Sequence, residues 1–149
     1  IYTGVVHTLP PNGDKMLVID IGGGSTEFII GRGLDTIERE SLQAGCIAST
    51  RRFFGNGKLS KKRWKEALTE VEAEFQQFAG LYRTLGWQEA IGSSGTNKAI
   101  GEICAAMKLG KGSITREGLE KLKALQARHG DRFAPRPGWD NPVLRQPTV

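Results

Sequence analysis

Two acidic side chains, Asp20 and Glu27, flank Gly22, Gly23, Gly24 and Ser25 inside the run LVIDIGGGSTEFIIG at residues 17–31. This set of residue types can handle phosphate. Consecutive glycines let backbone N–H groups approach an anion with no Cβ in the way, and the serine hydroxyl adds a donor. Two carboxylates can share a divalent cation with phosphate oxygens, since Mg²⁺ prefers hard oxygen ligands. Alternatively, one acid has its pKa raised by the other's charge and serves as a general acid or base. The plainer alternative is that both are strand-end carboxylates hydrogen-bonded to turn amides, with glycines that only permit a tight turn.

The apolar runs on either side decide how the acids are presented. Two β-rich runs joined by a short glycine turn predict an antiparallel hairpin. With the turn centred on Gly23–Gly24, Asp20 lies opposite Glu27, Val18 opposite Ile29 and Ser25 opposite Gly22, all on one face. The other face carries Leu17, Ile19 and Ile21 against Thr26, Phe28 and Ile30, and is expected to cover the core. Directly opposed Cβ atoms lie only about 4.5–5.5 Å apart, where like charges repel. A cation or a proton between the acids would relieve that repulsion.

Around the hairpin the chain reads as an α/β lobe with a mixed sheet. The segment before Pro10-Pro11 reads as the end of a helix or a short strand. A third strand is expected over Asp35–Ser41, with Gly45 ending the meander. A short helix follows from Cys46 to Phe54, stopped at Gly55. Ser60 can cap a long helix ending at Gly86, with Leu59 and Trp64 as its hydrophobic staple. In that helix Trp64, Ala67, Leu68, Val71, Phe75, Phe78, Tyr82 and Leu85 form a buried stripe, and Lys61, Lys62, Glu66, Glu70 and Glu74 lie on the exposed side. Residues 87–92 have the length of a buried strand, and Ser93–Thr96 lead into a helix running to about Leu109. That makes a second strand–glycine loop–helix transition, and helix starts with small residues are natural anion sites. Thr115 caps a third helix with Ile114 and Leu119 as staple and Leu119, Leu122 and Leu125 inward. Residues 131–149 hold several prolines and read as a tail.

The composition narrows the class. A chain of 149 residues supports one domain with a core, or one lobe of a larger protein. The sequence opens on Ile1 in what reads as the middle of a longer chain. No apolar run spans a bilayer, so the expectation is a soluble, cytoplasmic protein with no membrane partner. Cys46 and Cys104 are expected as free thiols, and His7 and His129 are too scattered for a metal site or a triad. The net charge is +5, but residues 1–50 carry three basic and six acidic side chains, whereas 51–65 carry seven basic ones and no acid. Arg51, Arg52, Lys61 and Lys62 in that block could steer a polyanion, or simply solvate a helix start. No aromatic interleaving accompanies them, which disfavours nucleic acid as a partner.

The string VIDIGGGSTE at 18–27, the loop IGSSGT at 91–96, GVVHT at 4–8 and LQAGC at 42–46 together resemble the exopolyphosphatase/guanosine pentaphosphate phosphatase family. The resemblance runs from residue 1 to about residue 130, with 131–149 left as the tail. It implies an actin-like ATPase fold, in which two ribonuclease-H-like lobes close on a phosphate cleft, this chain supplying most of the second lobe. The first lobe of the same protein is then the implied partner. It implies phosphate contacts from Gly22, Gly23, Gly24 and Ser25, and it assigns Asp20 and Glu27 to a divalent cation and the attacking water. A further catalytic glutamate is implied just before the Gly4–Thr8 segment, a few residues upstream of Ile1 and so outside this sequence. The second loop, Gly92, Ser93, Ser94, Gly95 and Thr96, is the other candidate phosphate site.

The leading expectation is therefore Mg²⁺-assisted hydrolysis of a terminal phosphoanhydride in inorganic polyphosphate or guanosine pentaphosphate. An ATP-dependent kinase or ATPase of the same superfamily is the enzymatic alternative, with Gly92–Thr96 on adenosine. A phosphate- or nucleotide-sensing module, or a lobe that forms a homodimer through an uncovered apolar face, is the non-enzymatic one.

Overall fold

The computed structural model describes residues 1–10, 13–55, 57, 59–109 and 113–129, and the tail expected over 131–149 lies outside them. The order is α1 (Tyr2–Val6), β1 (Lys15–Ile21), β2 (Thr26–Arg32), β3 (Asp35–Leu42), α2 (Cys46–Phe54), α3 (Lys61–Leu85), β4 (Glu89–Ser93), α4 (Ser94–Ala106) and α5 (Arg116–His129). The strands form one mixed sheet in the order β3-β2-β1-β4, antiparallel except where β4 runs parallel to β1.

The hairpin has the expected register, with Asp20 against Glu27 and Val18 against Ile29. Its apolar face does cover a core. Leu17 and Ile30 bury themselves with Leu42, Phe78 and Tyr82, and Ile19, Phe28 and Phe75 pack alongside. The rings of Phe28, Phe75, Phe78 and Tyr82 meet tilted or edge-on at centroid distances of 5.0–5.5 Å. Full burial of one such side chain contributes about 1.5–3 kcal/mol, so this cluster holds α3 to the sheet. Tyr82 also donates its hydroxyl to the Phe28 carbonyl at 2.7 Å.

The opposite face is apolar too at its base, where the sequence predicts only one core-covering face. Met16, Val18 and Ile29 are buried there under Tyr2 of α1, with Val5, Val6, Leu9 and Ile91 around them. A Cβ at Gly31 would lie 2.3 Å from the Tyr2 ring, so this glycine is what lets α1 lie down on the strand. Asp20 and Glu27 stand on the same face, two positions nearer the glycine turn than Val18 and Ile29.

Several expectations need correction. Leu68 is exposed, because Phe75, Phe78 and Tyr82 at the other end of α3 make the sheet contact. Glu70 and Glu74 are half-buried; Glu70 is ion-paired with Arg52 of α2, which packs alongside. Trp64 stacks on Phe54 at 5.7 Å, and its buried indole N–H has no partner among the described residues. β4 is the outer strand beside β1 and is largely exposed, not buried. α4 stops at Ala106 rather than Leu109. Thr115 does cap α5, accepting from the Gly118 amide at 3.0 Å, but buried Gly118 makes the close approach to the Leu109 carbonyl while Leu119 stays exposed. Cys46 is half-buried and Cys104 buried, and both are free thiols.

Candidate functional site

The glycine turn is held from behind by a helix start. The amides of Gly45, Cys46, Ile47 and Ala48 donate to the carbonyls of Gly24, Gly22, Gly23 and Gly23 at 2.9–3.0 Å. The first turn of α2 thus finds acceptors for donors that a helix cannot satisfy internally. This fit makes a glycine necessary at position 45, since a Cβ there would lie 2.4 Å from the Gly23 carbonyl carbon. From sequence Gly45 reads only as the end of a meander, because a contact between segments more than 20 residues apart leaves no local signal.

This grip decides where the turn amides point. In a trans peptide the N–H is directed opposite the preceding C=O. With the carbonyls of Gly22, Gly23 and Gly24 turned toward α2, the N–H groups of Gly23, Gly24 and Ser25 face away from it. The Ala44 carbonyl leading into α2 accepts from Thr26 on the α3 side of the sheet, at 2.8 Å, so the amides open on the side of Asp20 and Glu27. Among the described residues none of these three N–H groups has a backbone partner. Three adjacent amides without partners among the described residues are the donor set that an anion nest uses. None of the three glycines of the turn has positive φ; a Cβ at Gly22 would crowd the Ser25 carbonyl and one at Gly23 the Ile47 side chain, each at 3.2 Å, while one at Gly24 would meet nothing within 4 Å.

The second loop joins this turn from β4. Ser93 pairs with Asp20 in the parallel register and donates its hydroxyl to Asp20 Oδ2 at 2.8 Å. Ser94 has φ of 81°, a left-handed conformation rare for a residue with a Cβ, and its hydroxyl is spent on the Ile21 carbonyl at 2.7 Å. Gly95 and Thr96 sit in the first turn of α4, whose start has no side-chain cap. Asn97, which carries no motif signal in the sequence, donates to the carbonyls of Ile19 at 3.0 Å and Ser93 at 2.7 Å. Gly92 exists for it: a Cβ there would lie 2.8 Å from the Asn97 side chain.

The acids are half-buried and already partnered by hydroxyls. Glu27 Oε1 accepts from Ser25 Oγ, and from Ser41 Oγ at 3.2 Å. Ser25 Oγ, expected on phosphate, is therefore engaged with the carboxylate. Among the described residues no cluster of three or more His, Cys, Asp or Glu side chains forms a metal site. Two carboxylates surrounded by hydroxyls and open amides still fit Mg²⁺, which keeps several waters and takes one or two protein carboxylates plus phosphate oxygens.

The basic block is not brought to the turn. Arg51 and Arg52 lie in the last turn of α2, while its first turn grips the glycines. Arg52 pairs with Glu70 and lies over the Phe53 ring at 5.3 Å. Lys62 makes an exposed pair with Glu66 at 3.9 Å, and Lys61 is exposed. No described helix is long and apolar enough to cross a membrane.

The sheet order and the glycine turn between its first two strands define a lobe of the actin-like ATPase fold. Solved structures share it. The Ppx/GppA phosphatase of Aquifex aeolicus, type II variant, superposes with a TM-score of 0.66 at 22% identity, over 85% of this chain and 42% of that one. An exopolyphosphatase from Cytophaga hutchinsonii does so with a TM-score of 0.54 at 23% identity, over 86% and 44%. The chain belongs to the Ppx/GppA phosphatase family, whose sequence profile matches residues 1–134. A Haemophilus influenzae protein provisionally named an exopolyphosphatase is 42% identical over 131 residues, 87% of this chain and 40% of that protein. The guanosine-5'-triphosphate,3'-diphosphate pyrophosphatase of Aeromonas hydrophila is 41% identical over 125 residues, 84% of this chain and 24% of that protein. The chain thus spans less than half the length of these relatives.

Proposed function

We propose that this chain supplies the phosphate- and cation-holding half of a hydrolase that releases terminal phosphate from inorganic polyphosphate or guanosine pentaphosphate. The observation that carries the reading is the opposition of charge types across one turn: three amides unpartnered among the described residues beside a pair of carboxylates. A phosphoryl group and its cation need those two environments within a few ångströms of each other. The family membership and the names of the relatives point the same way.

In this reading the amides of Gly23, Gly24 and Ser25 hold nonbridging oxygens of the terminal phosphate, and the start of α4 faces the next phosphate of the chain. Asp20 and Glu27 would hold Mg²⁺, which when bound neutralises charge on the transferring phosphoryl oxygens. Ser93 and Ser25 keep the two carboxylates oriented. The in-line water is assigned to the glutamate that the family resemblance places before the Gly4–Thr8 segment. Such catalysis is mostly positioning and electrostatics, with little covalent work for the protein.

The test is phosphate release by the full-length protein from polyphosphate and from guanosine pentaphosphate, with and without Mg²⁺. Glu27→Ala should lower kcat by at least about 10²–10³-fold, the scale on which one transition-state contact is lost. Undiminished release by that variant would sink the assignment.

A further inference from the structure

One row of residues crosses all four strands at the level of the acids. Ser41 on β3 is the register partner of Glu27 on β2, Glu27 of Asp20 on β1, and Asp20 of Ser93 on β4. Partners across a sheet share a face, and at about 4.8 Å per strand the row is about 14 Å long. Its order is hydroxyl, carboxylate, carboxylate, hydroxyl.

Each terminal hydroxyl donates to the acid beside it. Ser41 Oγ reaches Glu27 Oε1 at 3.2 Å and Ser93 Oγ reaches Asp20 Oδ2 at 2.8 Å. Ser25 Oγ adds a second donor to the same Glu27 oxygen. The pattern is one-sided: Glu27 Oε2 and Asp20 Oδ1 accept nothing from the described residues. Each acid gives one oxygen to a hydroxyl and keeps the other free. Both strand-borne donors come from outside the pair, from β3 and β4, so the pinned oxygens are held by the flanking strands.

Resting on the function proposed above, we infer that Ser41 and Ser93 are positioning residues that pin the outer oxygens of Glu27 and Asp20, and so preset the two free oxygens for a divalent cation. Neither hydroxyl needs to touch the cation or the phosphate. Each lowers the cost of binding by narrowing the rotamers open to its carboxylate before the ion arrives, Ser93 at Asp20 and Ser41 together with Ser25 at Glu27. Ser41 is exposed and its side chain bonds to nothing else described, so a purely structural role has no visible object.

Mn²⁺ titration of the full-length protein, followed by electron paramagnetic resonance, reads the effect without turnover. Ser41→Ala and Ser93→Ala should each weaken Mn²⁺ binding about 10-fold, the lower end of what loss of a partner to a ligating carboxylate costs. The thermal midpoint should stay unchanged in Ser41→Ala, and Ser41→Thr, which keeps a hydroxyl, should restore affinity. Asp20→Asn serves as the control for the site itself. If Asp20→Asn loses Mn²⁺ binding while both alanine variants retain it, the positioning role is overturned and the parent reading stands. If Asp20→Asn binds Mn²⁺ as the wild type does, both fall together.

Discussion

Substituting Gly45 with alanine tests whether the grip of α2 on the glycine turn is as tight as the geometry requires. A Cβ at Gly45 would lie 2.4 Å from the carbonyl carbon of Gly23, 2.5 Å from its oxygen and 2.5 Å from the carbonyl carbon of Gly24. All three are backbone atoms, so no side chain can swing aside. The protein then has two routes. It can hold the clash, at about 1–3 kcal/mol for an overpacked site. Or α2 can back away and release the amide–carbonyl bonds of Gly45, Cys46, Ile47 and Ala48, at about 0.5–1.5 kcal/mol net each. The cheaper route sets the outcome, so Gly45→Ala should destabilise by about 1–3 kcal/mol. Gly24→Ala is the paired control: a Cβ there meets nothing within 4 Å and φ is not left-handed. That variant should leave stability unchanged or raise it by about 0.4–1 kcal/mol through the unfolded state. Urea unfolding of both variants against the wild type decides the matter. Equal midpoints for Gly45→Ala and Gly24→Ala would refute the grip.

Asn97→Ala removes the donor shared by the Ile19 and Ser93 carbonyls and should cost about 1–3 kcal/mol, with a larger fall in phosphate release than in the unfolding midpoint because Ser93 loses its anchor. A proportionate fall in both would argue for a structural role alone. Tyr82 has its phenol pKa raised first by burial and then by Glu38 and Glu40. The native state therefore keeps this proton above pH 10, where the unfolded chain loses it, and stability should fall as pH rises past that value. Tyr82→Phe should flatten that fall by up to about 1.4 kcal/mol per pH unit, and parallel stability–pH curves for variant and wild type would contradict it.

Wherever the determinants are local, the sequence reveals the fold. The hairpin register follows from period-two alternation about Gly23–Gly24, and the bounds of α2 and α3 follow from Gly55, Ser60 and Gly86. What stayed hidden depends on which segment lies against which. The α1 cover over Val18 and Ile29 cannot be inferred from a five-residue helix with weak periodicity. The exposure of β4 follows from its place at the end of the strand order, which the apolar character of its own residues does not encode. The same holds for the site. Asp20, Glu27 and the glycines could be recognised because they are neighbours in sequence, whereas Gly45, Asn97 and Ser41 act through contacts 14 to 78 residues away.

The docking of α2 behind the turn has an electrical consequence. A helix start carries a partial positive charge of about half an elementary unit, usually imagined as pointing at a ligand. Here that end of α2 rests on peptide carbonyls, and each such carbonyl belongs to the peptide unit whose N–H faces the opposite side. A peptide that accepts on its oxygen becomes a better donor from its nitrogen, by about 10–30% per bond. The turn is thereby built as a relay: the helix's field would reach an anion held there, as proposed above, through three intervening peptide planes. On the proposed function, weakening α2 would loosen the hold on phosphate without altering a single atom assigned to touch it.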